Sequence, residues 1–189
     1  MKIAITQRVI DFRNGPYDSI DHGFYDMFRG HTLYPIPNDI DHFDNDLIIN
    51  CDLVVFSGGN SMMEDSWQYN EKRLLIEQRT LALAQEHNKP ILGISKGCQF
   101  LTTSLGGSIK QSSNHHKDHS VCYNNTIVSV HSRHEEVLSR IPNGAICLAT
   151  DTEGNCESWH MDNIVVVLWH PERMNNHWLP KEAYEITGL

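Results

Sequence analysis

The sequence predicts an α/β fold, an open and mostly parallel sheet flanked by helices, with a small antiparallel extension. Three observations predict it. Four short runs at 2–6, 53–57, 90–94 and 164–168 are rich in Ile, Val and Leu and end in small or polar residues. That is the pattern of parallel strands covered on both faces. Helical stretches alternate with these runs, as crossover connections require. The C-terminal third departs from the alternation and carries short strands between turn signals.

The elements follow in order. Residues 2–6 (Lys-Ile-Ala-Ile-Thr) read as a first strand, not as a leader with a long apolar segment. Residues 71–86 place Leu74, Leu75, Leu81 and Ala82 at offsets 0, 1, 7 and 8, predicting a helix that buries that face. Residues 96–105 put Cys98, Leu101 and Leu105 on one face, and Gly106-Gly107 ends the helix. Segment 108–125 is polar and histidine-rich and predicts a long surface loop. Runs 126–130, 145–150 and 156–160 read as antiparallel strands separated by Pro142-Asn143-Gly144 and Glu153-Gly154-Asn155. With no repeat, linker or low-complexity tract, residues 1–189 are expected to form one domain.

Composition narrows the function classes. Lys plus Arg total 15 against 24 Asp plus Glu, for a net charge of −9, and 40% of residues are hydrophobic. This excludes a disordered class and argues against binding nucleic acid or an anionic membrane surface. Five scattered cysteines without a Cys-x-x-Cys pair point to reduced thiols in a cytoplasmic protein. His115, His116 and His119 with Asp118 have a spacing that could hold a metal, but no second motif supports it. No metal and no cofactor are expected.

Gly93-Ile94-Ser95-Lys96-Gly97 lies between a predicted strand and a predicted helix. Small residues two before and two after Ser95 permit a tight turn that lifts its side chain clear of the backbone. The helix behind it would aim free N–H groups and a positive dipole at a developing oxyanion. The same residues also fit an ordinary strand-to-helix turn capped by a serine. Ser57-Gly58-Gly59-Asn60 follows another strand, where paired glycines admit a ligand close to backbone N–H groups. Trp169-His170-Pro171-Glu172 follows a third, where a short turn would let Glu172 orient His170. Ligands of open parallel sheets bind beyond the carboxyl ends of the strands, and all three pieces fall there.

These pieces, in this order, resemble the class I glutamine amidotransferases. The family's nucleophile elbow, Gly-x-Cys-x-Gly-x-Gln, is matched by Gly93, Gly97 and Gln99, with Ser95 in the cysteine's place. Its glycine-rich oxyanion strand resembles Ser57-Gly58-Gly59, and its His-Pro-Glu matches His170-Pro171-Glu172. An Asn-Ser-x-His-His segment is loosely similar to His131-Ser132-Arg133-His134-Glu135, with first and last residues changed. The resemblance implies a flavodoxin-like sheet and a γ-glutamyl acyl-enzyme on residue 95, with His170 as base and then acid and Glu172 orienting it. Backbone N–H groups of Gly59 and Lys96 would hold the oxyanion. Gly58, Gln99, His131, Ser132, Arg133 and His134 would grip the glutamyl moiety. Serine at 95 reads either as a replacement introduced for a native cysteine or as a natural serine form; the intact His170 and Glu172 favour replacement.

The family contains both stand-alone γ-glutamyl hydrolases and glutaminase subunits that feed ammonia to a separate synthetase. Segments 7–30 and 108–125 flank the expected site, which favours a hydrolase whose small-molecule substrate carries a leaving group larger than ammonia. Arg8, Arg13, Lys96, Lys117 and Arg133 are the candidates for holding an anionic leaving group. Two other classes compete: a serine hydrolase using Ser95, Asp151 and His170, and a non-catalytic binding protein.

Overall fold

β1 (Lys2–Thr6) buries every residue after its first, as an inner strand between two helical layers must. A hairpin of β2 (Arg8–Phe12) and β3 (Gly15–Ser19) follows, then α1 (Gly23–Met27), β4 (Thr32–Ile36), α2 (Asn45–Asn50) and β5 (Leu53–Phe56). The middle of the chain forms α3 (Trp67–Glu86), β6 (Ile91–Ile94) and α4 (Lys96–Ser104). β7 (Ser108–Gln111), β8 (His119–Tyr123), β9 (Thr126–Val130), β10 (Glu136–Arg140), β11 (Ile146–Thr150), β12 (Cys156–Met161) and β13 (Ile164–Val167) complete the strands, and α5 (Lys181–Thr187) ends the chain. The computed structural model describes residues 1–12, 15–59, 67–112 and 118–189. Among them no helix is long and apolar enough to cross a membrane.

The main sheet runs β4-β1-β5-β6-β13-β12-β11-β8-β9, and its first five strands are parallel. From β13 onward the pairing is antiparallel, with β10 and β7 branching from β12. The predicted α/β sheet with an antiparallel extension is what the chain forms. β5, β6 and β13 lie side by side, all four residues of each are buried, and their carboxyl ends are therefore adjacent. One face packs on α3 and α4 through Val54, Phe56, Ile76, Leu101 and Val166. The other packs on α1 and α5 through Ile5, Val55, Ile94, Phe24 and Ala183. Each aliphatic side chain so covered contributes about 1.5–3 kcal/mol.

Two sequence expectations need correction. The segment 108–125 is not all loop, because β7 and β8 lie within it. Both are half-exposed antiparallel strands whose polar face reads as loop composition. Helix α3 does not bury the face of Leu74, Leu75, Leu81 and Ala82: Leu74 and Leu75 are 37% and 48% exposed, and only Leu81 of the four is buried. The inward stripe is Arg73, Ile76, Glu77, Thr80, Leu81, Leu83 and Ala84. A buried ion pair, described below, fixes this rotation.

Candidate active site

The turn from β6 to α4 consists of Ser95 alone. Its backbone takes φ +53° and ψ −111°, a region nearly closed to residues with a Cβ, which costs on the order of 1–3 kcal/mol. The strain is held from both sides, Ser95 N donating to Val167 O at 2.9 Å and Gln99 N donating to Ser95 O at 3.1 Å. The start of α4 also presses on β5, since a Cβ at Gly97 would fall 2.1 Å from the Phe56 carbonyl oxygen. The Ser95 side chain makes no capping hydrogen bond to the helix, which sets aside the ordinary capped turn. The first N–H groups of α4, as at any helix start, have no partner within the helix and can serve an anion formed beside Ser95.

Gly58 fixes the position of the other components. A Cβ built on it would lie 2.9 Å from His170 Cε1 and 3.3 Å from Ser95 Cβ, so both side chains stand against the same point. Only glycine admits that approach. His170 leaves β13 into a short 3-10 turn, Pro171–Arg173, which folds Glu172 back under the ring. Glu172 Oε1 accepts from His170 Nδ1 at 2.7 Å, with both side chains buried. That bond leaves Nε2 as the proton-accepting nitrogen. His170 N also donates to His131 O at 2.8 Å, and the His131 ring meets the His170 ring edge-on at 6.2 Å. A hydroxyl, a carboxylate-oriented imidazole and two sources of backbone N–H thus share one edge of the sheet.

Beneath this edge lies a charge cluster that the sequence reading missed. Arg73 is fully buried and donates to the carbonyls of Ser57, at 2.8 Å, and Gly58, at 3.2 Å, and to Gly59 O at 3.4 Å. It holds the backbone of the glycine strand by its oxygens, leaving the N–H groups to face elsewhere. Glu77 accepts from Arg73 Nε at 2.8 Å and from Lys96 Nζ. Burial works against the Glu77 carboxylate, but the two cations outweigh it and hold it below its usual range. Burial, with the charge of Arg73, pushes the Lys96 ammonium down to about 8 in spite of Glu77. The i, i+4 spacing of Arg73 and Glu77 was the available signal, but on a helix it usually marks a solvated face.

The remaining expected residues divide. Arg8 lies over Gly59, where a Cβ would come within 2.6 Å of its Cδ, and it borders a small pocket with Ser19, Phe24, Gly58, His170 and Arg173. Lys96 is not available to a leaving group, because its side chain is buried on Glu77, and Arg133 is exposed. Arg13, Asn60, His115, His116 and Lys117 lie outside the described residues. Gln99 is buried and donates to Glu136 Oε2 at 3.2 Å. Of segment 131–134 only His131 stands against His170. Ser132 is fully buried, its N–H donating to Asp118 Oδ1 at 3.2 Å, and His134 turns toward Glu157. Asp151 accepts from Glu153 N, Asn155 N and Asn155 Nδ2, closing its own turn, whereas Glu172 holds His170. The geometry thus removes Asp151 from any triad. Cys98 is fully buried, and burial pushes its thiol well above the ordinary range, so it is inert.

Comparison with known proteins agrees with this geometry. The model of the glutamine amidotransferase class-I family matches residues 8–181. The chain is 28% identical over 201 residues to the gamma-glutamyl-CDP-amidate hydrolase of Campylobacter jejuni, covering 98% of each protein. Among solved structures it is similar to a glutamine amidotransferase from Thermotoga maritima, with a TM-score of 0.68 and 18% identity over 97% of this chain and 82% of that one. A glutamine amidotransferase from Methylobacillus flagellatus gives a TM-score of 0.61 and 15% identity over 98% and 75%.

Proposed function

Because the chain belongs to the class I glutamine amidotransferase family, we propose that it hydrolyses a γ-glutamyl amide through a γ-glutamyl ester on Ser95. The observation that carries this reading is the meeting of the strained Ser95 and the Glu172-bound His170 against Gly58. Ser95 Oγ attacks the γ-carbonyl carbon while His170 Nε2 takes its proton, and Glu172 stabilises the imidazolium. The N–H groups of Gly59 and Lys96 receive the oxyanion. His170 then protonates the departing nitrogen, and a water molecule, activated by the same ring, cleaves the ester to release glutamate.

The leaving group is the nucleotide amidate, so that γ-glutamyl-CDP-amidate yields L-glutamate and cytidine diphosphoramidate. Support comes from the likeness to the Campylobacter hydrolase along nearly the whole chain and from Arg8 and Arg173 bordering the pocket beside the triad. The partner is then a small γ-glutamyl substrate. The reaction belongs in the cytoplasm, where the five cysteines, all free, stay reduced.

Serine is the weaker nucleophile here. A thiol beside an imidazole and a helix N-terminus ionises near neutral pH, whereas a hydroxyl must lose its proton during attack. Ser95→Cys is therefore expected to raise glutamate release from γ-glutamyl-CDP-amidate by roughly 10³-fold or more. Mass spectrometry of the products from both forms, with γ-glutamyl-CDP-amidate and glutamine offered separately, tests it. Equal rates for the two forms would remove residue 95 from the chemistry. Turnover of glutamine alone would replace the nucleotide reading by that of an ammonia-supplying glutaminase.

A further inference from the structure

Away from the triad, three side chains converge within the antiparallel half of the sheet. His119 comes from β8, His134 from the segment before β10 and Glu157 from β12, and one ligand atom of each lies within 4.8 Å of the others. His134 and Glu157 are buried, while His119 keeps 19% of its side chain exposed. Glu157 Oε2 stands 3.5 Å from His119 Nε2 and 3.6 Å from His134 Nε2. These separations are long for hydrogen bonds, and among the described residues neither Glu157 oxygen accepts one. A buried carboxylate in that condition calls for another positive partner.

We propose that His119, His134 and Glu157 bind one divalent transition-metal ion of the zinc class. Ligand atoms held roughly 2.0–2.1 Å from a tetrahedral ion stand about 3.4 Å from one another, close to the separations on Glu157. His134 Nδ1 donates to the Glu136 carbonyl at 2.9 Å, which leaves the lone pair on Nε2 facing Glu157, as in a metal-ligating histidine. Two imidazoles and one carboxylate suit zinc rather than magnesium or calcium. The partly exposed His119 gives the ion a way in and would let water take the fourth position. The ion's role is structural. It ties β8 and β12 to the segment that ends in Glu136, to which Gln99 donates, and that begins at His131, against His170. Of the spacing noticed in the sequence, only His119 belongs to this site; its partners are distant in the chain.

The test uses the full chain, stripped with a chelator and titrated with Zn²⁺ alone, and with Co²⁺ as a spectroscopic probe. One tight equivalent per chain is expected, with proton release, a raised Tm and the visible bands of tetrahedral Co²⁺. With 12 histidines in the chain, weak surface binding is also expected, so variants decide. His119→Gln, at the partly exposed member, should keep the far-ultraviolet spectrum and weaken the tight equivalent about 100-fold or more. Glu157→Gln should do the same wherever it folds. Absence of a tight equivalent would overturn the proposal in favour of a plain imidazolium–carboxylate cluster. Survival of a tight equivalent in His119→Gln would place the metal elsewhere and overturn it equally. Amide hydrolysis is not the readout, so this outcome is independent of the reaction proposed above.

Discussion

A serine at the apex of a strained turn is committed to whatever the turn aims it at, because neighbouring contacts must sustain the cost of its backbone. At Ser95 those contacts are the Val167 carbonyl and the close fit of Gly97 on Phe56; the side chain does not cap its own helix, and its Cβ and the His170 ring both stand against Gly58. Arg8 is the next residue whose position has a chemical consequence. Its stem covers Gly59, and its guanidinium Nε donates to Ser19 Oγ at 3.3 Å, leaving other donors for a ligand. A diphosphate entering a protein of net charge −9 needs such local positive charge. Arg8→Ala is therefore expected to lower kcat/KM of the Ser95→Cys form for γ-glutamyl-CDP-amidate by about 10-fold or more, and to alter glutamine hydrolysis far less. Steady-state kinetics on the two substrates checks this. Equal losses on both would show that Arg8 serves by covering Gly59, not by meeting the leaving group.

At the scale of elements, α3 and α4 are joined to the site by charge. Arg73 and Glu77 of α3 and Lys96 of α4 form one buried cluster, and the free hand of Arg73 holds the glycine strand after β5. Glu77→Gln would leave two buried cations without a compensating charge, and such a loss costs about 3–5 kcal/mol. A corresponding drop in denaturation midpoint is expected, together with a fall in kcat as the Gly58-Gly59 backbone loosens. A variant of unchanged stability would mean that water reaches the cluster. The same cluster explains what the sequence hid. Leu74 and Leu75 satisfy an apolar helical face, and Arg73 with Glu77 a solvated one, yet the structure reverses the two because Lys96 arrives from 19 residues away. Ser95, Gly58-Gly59 and His170-Pro171-Glu172 were legible because each follows an apolar strand directly. Arg73, Glu77 and Glu157 were not, because only tertiary pairing makes them buried.

Across the whole molecule, the parallel half of the sheet was readable from composition, since a strand covered on both faces must be apolar throughout. β4, with Pro35 inside it at the sheet edge, the half-exposed β7 and β8, and β10, whose buried half opens on the carboxylate of Glu136, carry too little of that signal. The final expectation, a pH dependence of stability, depends on charges that the fold takes partly (Asp21) or wholly (Glu77, Lys96) out of water. Burial opposes ionisation of Asp21, but the N–H of Gly23 and the charge of Arg173 prevail, so its carboxyl, like that of Glu77, lies below its usual value. Such groups bind fewer protons folded than unfolded, so their contribution is complete above their ordinary values of 3.8 and 4.5 and is lost as pH falls through the folded ones. Lys96 acts in another window. Its folded value of about 8 lies below the ordinary 10.5, so between these the unfolded chain holds the extra proton and this group's contribution rises with pH. Denaturant titrations from acid to alkaline pH should show stability falling below about pH 4.5, and Glu77→Gln should flatten that acid slope. With Glu77 neutral, nothing raises Lys96 against burial and Arg73, so the window in which its contribution rises should open at lower pH. An acid slope identical in the two proteins would show that carboxylates other than Glu77 govern acid unfolding.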